Sequence, residues 1–175
     1  MSLLNLRTLP DPVLRQKARR VTKIDDSLQK LIDDMIDTMR HANGVGLAAN
    51  QVGVLHRVVV IEIPEEEEVR VLINPEIIRR EGERTVEEGC LSIPGYRGEL
   101  SRSLKVRVRA LDRYGKPIRI KAEGLLAQAL EHETDHINGI LYIDHLESHE
   151  KLWKLEPQEV EHPDEVGAAV QTEAS

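Results

Sequence analysis

Apolar side chains recur at Leu28, Leu31, Ile32, Met35, Ile36 and Met39, gaps of three and four that line up on one stripe of a helix. The pattern predicts a helix over residues 25–42, capped by Asp25 or Asp26 and stopped at Asn43 and Gly44. After the small-residue segment GVGLAANQVG the spacing shortens into β-type runs at 57–63, 69–74, 76–81 and 84–88. The glutamates at 65–68, between the first two runs, read as a solvated loop. Alternation at Val106, Val108 and Ala110, and again at Ile118 and Ile120, predicts a strand pair over 104–112 and 117–123. A turn at 113–116 joins the pair, and one of its faces should be wet. Helical spacing returns over 124–138, closed by Gly139, and a shorter helix is expected from His145 to Leu155. Together these elements predict an α+β fold, with small antiparallel sheets packed around a central helix.

Composition narrows the picture. The chain has 175 residues, a size that suits one compact unit. Its formal charge is −7, yet six acidic residues fall between Glu156 and Ser175, where there is no Lys or Arg, which leaves residues 1–155 near −1. The expectation is a single domain over 1–155, followed by an acidic, disordered tail over 156–175. A charge-balanced body predicts no broad basic face and no specific nucleic-acid site. Phe is absent, and the aromatics are Tyr96, Tyr114, Tyr142 and Trp153, so the core has to be built from Leu, Ile, Val and Met. One cysteine cannot close an intrachain disulfide, and MSLLNLRTLPDP has no long apolar run behind a basic region. The expected setting is cytoplasmic, with neither secretion signal nor membrane span.

The segment HETDH, residues 132–136, carries candidate chemistry. Residues four apart share a helix face, so His132 and His136 can converge on one metal ion while Glu133 serves as acid and base. Two unrelated histidines on a surface helix would be the plainer account. Against it, the preceding turn is apolar at Leu125, Leu126, Ala129 and Leu130, and polar groups on a core helix need partners. Tyr142 stands where a longer zinc motif would place a third His; His145, His149, Glu147 and Glu150 are formal candidates for a third ligand. Cys90 is the better one, because a thiolate binds divalent first-row metals strongly. The alternative for Cys90 is a buried structural thiol. The segment GVGLAANQ, 44–51, reads either as a tight turn before a strand or as a strip of bare backbone beside an extended substrate. In the second reading Gln51 aims its amide into the site as an oxyanion donor.

With GVGLAANQ (44–51), EGCLS (88–92) and HETDH (132–136) in this order, the chain resembles the peptide deformylases over roughly residues 3–146. The resemblance implies removal of the N-formyl group from the formylmethionine that begins newly synthesised proteins, with release of formate. It implies one divalent ion on Cys90, His132 and His136, Fe2+ foremost, with Zn2+, Ni2+ or Co2+ as alternatives. Glu133 becomes the general base, and the Gln51 amide and the Leu91 backbone N–H the oxyanion donors. The backbones of Gly44, Gly46 and Gly89 would orient the peptide, and Val45, Gln128 and Ala129 would wall the methionine pocket. The implied partners are N-formylmethionyl nascent polypeptides, with transient proximity to the ribosome and no membrane. Glu131 and Thr134 depart from the family, whose members usually carry Gln and an apolar residue there, and the acidic end replaces a basic helix. Asp135 is expected to support the site from behind or to pair with Arg102. A general zinc peptidase and a structural metal domain are the competing readings.

Overall fold

The computed structural model describes residues 2–156; all of the expected tail except Glu156 lies outside them. Asp25 opens the first helix, its carboxylate accepting the Leu28 N–H at 2.9 Å, which satisfies one of the donors that a helix start leaves over. Helix α1 then runs Asp26–His41. It ends as the sequence predicts: Asn43 adopts a φ of 59° and the Gly44 N–H returns to the Met39 carbonyl at 2.9 Å, a left-handed stop.

Among the described residues eight strands follow: β1 Gly46–Ala48, β2 Val58–Glu62, β3 Val69–Glu81, β4 Arg84–Cys90, β5 Ile93–Arg102, β6 Lys105–Leu111, β7 Pro117–Glu123 and β8 Leu152–Lys154. Helix α2, Gly124–Ile137, follows β7 with no loop between them, the switch being made at Gly124 with φ 62°. One antiparallel sheet has the order β1-β2-β3-β6-β7 and the other β4-β5-β8. Strand β2 explains the unbroken apolar run in its sequence. Val59 and Ile61 face the cluster that contains Leu130 of α2, while Val58 and Val60 face the cluster that contains Ile32, Met35 and Met39 of α1. A strand buried on both faces shows no alternation. A third cluster, with Leu14, Val86, Cys90, Leu100 and Tyr142, lies under the smaller sheet.

Two expectations change, and one strand was not foreseen. The runs at 69–74 and 76–81 are one strand, irregular in register between Ile73 and Glu76; Pro75, with no N–H to give, sits in that irregularity. The segment SIPGYRGELSR forms β5, hidden from a pattern search because Arg97, Gly98 and Arg102 occupy buried positions. The helix expected over 145–155 does not form. Short 3-10 turns at Tyr142–His145 and His149–Lys151 lead into β8, which pairs Trp153 with Arg97. Leu152 and Trp153 pair instead with Gly98 and Arg97 of β5, and sheet pairing takes over.

Charge is segregated as well. On β6 and β7 the side chains Arg107, Arg109, Arg119 and Lys121 are all exposed, while Val106, Val108 and Ala110 turn inward. Near-neutrality of the body therefore does not extend to this face. Among the described residues no helix is long and apolar enough to cross a membrane.

Asp34, buried on α1, accepts from Lys30 Nζ at 2.7 Å and from the Ser2 N–H at 2.9 Å. These bonds hold its carboxyl below the ordinary value of 3.8. The stabilisation it contributes is complete above about pH 3.8 and is lost as pH falls through the lower folded value. Asp34→Asn should therefore flatten that part of the acid-unfolding curve; an unchanged acid limb would contradict the assignment.

Candidate active site

Helix α2 is buried from Ala127 to Thr134 and again at His136 and Ile137, so its polar side chains must find partners inside the protein. His132 and His136 turn their Nε2 atoms toward each other at 3.1 Å, with ring centroids 4.8 Å apart. Cys90 arrives from the end of β4, its Sγ 3.3 Å from His136 Nε2. A shift in the β4–β5 register falls between Glu88 and Cys90, and such a bulge re-aims the side chain beside it. Gly89 sits in that shift. The three donor atoms all lie within 4.8 Å of one another, and all three residues are buried.

Behind them stands a buried ion pair. Arg102 donates through Nε to Glu88 Oε2 at 2.7 Å and through Nη2 to Oε1 at 2.9 Å. Its Nη1 reaches Asp135 Oδ2 at 2.8 Å, and His145 Nε2 meets the same oxygen at 2.8 Å. Burial alone would raise the Glu88 pKa, but the Arg102 charge and the hydrogen bonds from Arg102 and His132 hold it well below the usual carboxylate range. Burial likewise works against charge on Arg102, and Glu88 and Asp135 more than offset it. The ionised Glu88 takes a hydrogen bond from His132 Nδ1 at 2.7 Å. That bond commits the ring proton to Nδ1 and leaves a lone pair on Nε2. Burial, with neighbouring positive charge added, presses the His136 pKa well below 6.5. Two imidazoles and a thiol sulfur facing one point form a donor set for a divalent metal.

Glu133 is fully buried beside them. A Cβ on Gly46 would lie 2.5 Å from Glu133 Oε2, so the carboxylate occupies space that only glycine leaves open in β1. Gln51 sits in the 3-10 turn Ala49–Val52. Its Oε1 accepts the Ala48 N–H at 3.0 Å, which turns Nε2 toward Cys90 Sγ at 3.7 Å and Ser92 Oγ at 3.2 Å.

The other sequence candidates fall around this centre in different ways. Val45 and Ala129 share one core cluster, and the Val45 carbonyl accepts from the Glu62 N–H at 2.8 Å. Leu91 packs its side chain into the α1 cluster. Gln128 Nε2 bonds the Glu87 carbonyl at 3.2 Å and Glu88 Oε2 at 3.3 Å. Glu131 accepts from the Ser103 N–H at 2.7 Å, Ser103 Oγ at 3.0 Å and Arg80 Nε at 3.1 Å, which answers the question its charge raised. Thr134 is buried. His145, His149, Glu147 and Glu150 are outside the cluster of donors. Asp135 both pairs with Arg102 and stands behind the site. Glu88 and Ser92 were not singled out from sequence, although both flank Cys90 within the quoted EGCLS segment. A carboxylate two residues before a candidate thiolate was the available signal.

A buried Cys-His-His donor set with a carboxylate beside it, carried on the central helix of an α+β fold, defines a metal-dependent hydrolase. The family model described as Polypeptide deformylase matches residues 3–152, and the chain belongs to that family. A peptide deformylase of Dehalococcoides mccartyi is 57% identical over 166 residues, covering 95% of this chain and 99% of that protein. The crystal structure of a peptide deformylase from Legionella pneumophila superposes with a TM-score of 0.80 at 44% identity, covering 99% of this chain and 96% of that one. A Synechococcus elongatus peptide deformylase, solved in complex with actinonin, superposes with a TM-score of 0.81 at 40% identity, covering 98% of this chain and 86% of that one.

Glu88→Ala would leave Arg102 and the His132 Nδ1–H facing a void. Breaking a fully buried pair from one side costs about 3–5 kcal/mol, which urea unfolding of the metal-free protein should register. A loss below about 1 kcal/mol would show that the pair is not what holds this region.

Proposed function

We propose that Cys90, His132 and His136 hold one divalent ion and that the residues around it carry out deformylation. The family is metal-dependent and removes the N-formyl group from nascent peptides. The observation that carries the residue assignment is the convergence of three donor atoms within 4.8 Å beside a buried carboxylate. A divalent ion bound there supplies Lewis-acid chemistry, polarising a carbonyl oxygen and lowering the pKa of water toward about 7. Thiolate and imidazole donors suit Fe2+, Zn2+, Ni2+ and Co2+ alike; we take Fe2+ as the resident ion, on the family resemblance.

In this reading the C–N bond of the formamide breaks, a C–O bond forms to water, and formate leaves as the amine nitrogen gains a proton. Glu133 takes the proton from water and delivers it to that nitrogen. Gln51, already held by Ala48 with its N–H2 turned to the centre, donates to the oxyanion together with the Leu91 backbone N–H. The Gly44–Gly46 and Gly89 backbones orient the substrate as an added strand. Val45, Ala129 and the aliphatic stem of Gln128 contribute wall to the methionine side chain, while the Gln128 amide holds Glu88. Action on nascent chains fits a cytoplasmic setting near the ribosome.

The test is formate release from formyl-Met-Ala under anaerobic conditions, with metal analysis of the same samples. Glu133→Ala should keep one ion per chain and lose about 10²–10⁴-fold in kcat. Gly46→Ala, whose methyl would meet Glu133 Oε2, should lower kcat by about tenfold or more with the metal retained. A near-normal rate in Glu133→Ala would remove that residue as base. Cutting of internal peptide bonds by the wild-type protein would favour the peptidase reading. Aeration should abolish activity unless reductant is present; full activity after prolonged aeration would exclude Fe2+.

A further inference from the structure

The β6–β7 surface has its own charge problem. In register, Arg107 of β6 stands directly opposite Arg79 of β3 on one side and Lys121 of β7 on the other, and Arg109 stands opposite Glu76 and Arg119. Side chains so paired are about 5 Å apart, and like charges in that relation destabilise a sheet. Glu81 answers Arg79 at 2.9 Å and Glu76 answers Arg109 at 3.1 Å. Arg107, Arg119 and Lys121 are exposed and make no ion pair with any described residue. The sheet thus carries a repulsion that its own acids do not relieve.

The relief is spatially organised. A depression of about 530 Å³ between the start of β3 and β7 shares Ile118 and Arg119 with a second of about 430 Å³. The second shares Arg20, Asn74 and Glu76 with a third of about 330 Å³ bordered by Lys17 and Arg57. The three form one continuous trough lined by eight cationic and three acidic side chains, in a chain whose formal charge is −7. At the end away from Lys17 stands Tyr114, 77% exposed, with the Arg113 guanidinium 5.9 Å from its ring centre.

We propose that this trough is a docking surface for the phosphate backbone of single-stranded RNA. The trough's exposed cations without an acidic partner, Lys17, Arg20, Arg119 and Lys121, complement the phosphates of a strand, and an exposed aromatic ring at one end offers a platform on which a base can stack. An acidic protein partner would use the cations but not the ring. The choice of RNA also rests on the deformylase reading, since a newly made polypeptide is presented by RNA-based machinery. The trough is separate from the metal donors: none of its lining residues belongs to the catalytic assignment.

The test is fluorescence anisotropy of the full chain with a labelled RNA of about 20 nucleotides over about 50–300 mM KCl. Four exposed trough cations free of acidic partners, Lys17, Arg20, Arg119 and Lys121, predict a slope of log K against log salt of about −2.8. Arg20→Glu/Arg119→Glu/Lys121→Glu should weaken binding at least tenfold at about 100 mM KCl while kcat/KM on formyl-Met-Ala stays at the wild-type value. If that variant does not fold, the corresponding triple Gln variant should still show a shallower slope. Tyr114→Ala should weaken RNA binding, and polyglutamate of matched charge should compete at least tenfold less well than RNA. The proposal is overturned by absence of RNA binding at about 50 mM KCl, by wild-type RNA affinity in the charge variant, or by equal competition from polyglutamate. Binding is measured without turnover, so failure here leaves deformylation standing, and failure of deformylation leaves the trough measurable.

Discussion

A carboxylate with no exposure to water is kept ionised at Glu88, and much of the site depends on that. Alone in the interior it would take up a proton. Arg102, 5% exposed, meets both of its oxygens within 3 Å, and the pair is tolerable only because each charge has the other. Its product is orientation: with Glu88 ionised, His132 must place its proton on Nδ1, and its other nitrogen is left bare toward His136 and Cys90. Arg102 extends the same arrangement through Asp135 to His145. One charged pair thus ties the smaller sheet, helix α2 and the segment after it to the ring that faces the metal donors.

Backbone geometry supplies the rest. Cys90 reaches the histidines because the β4–β5 register slips at Gly89. Glu133 has room because β1 carries no Cβ at Gly46. Gln51 points inward because the Ala48 N–H holds its oxygen. Each of these is a local feature in the stretches GVGLAANQ and EGCLS. The glycines there allow two strands to approach a helix that would otherwise be shielded by side chains.

Local features of this kind were legible in the sequence; pairings across the chain, Asp135 with Arg102 excepted, were not. The α1 stripe and its Asp25 cap depend on neighbours within one turn, and HETDH sets its two imidazoles by helix spacing alone. Cys90 remained open between ligand and structural thiol, because its partner His136 is 46 residues away. Arg102 and Glu88 are separated by 14 residues along a hairpin, and β5 was masked by buried arginines, of which Arg102 serves the site. The expected helix over 145–155 failed where pairing with β5 outweighed a weak local pattern. Net charge misled for a related reason: it sums over the surface, whereas strand alternation sorts Arg107, Arg119 and Lys121 to one side.

The central claim is that one thiolate and two imidazoles from distant parts of the chain bind a single ion and leave one position to solvent. X-ray absorption at the metal edge of the zinc-loaded protein tests it most directly. One sulfur neighbour at about 2.3 Å and three nitrogen or oxygen neighbours at about 2.0–2.1 Å, two of them imidazole, are the result expected. A spectrum without the sulfur neighbour, or with a single imidazole, would contradict the account.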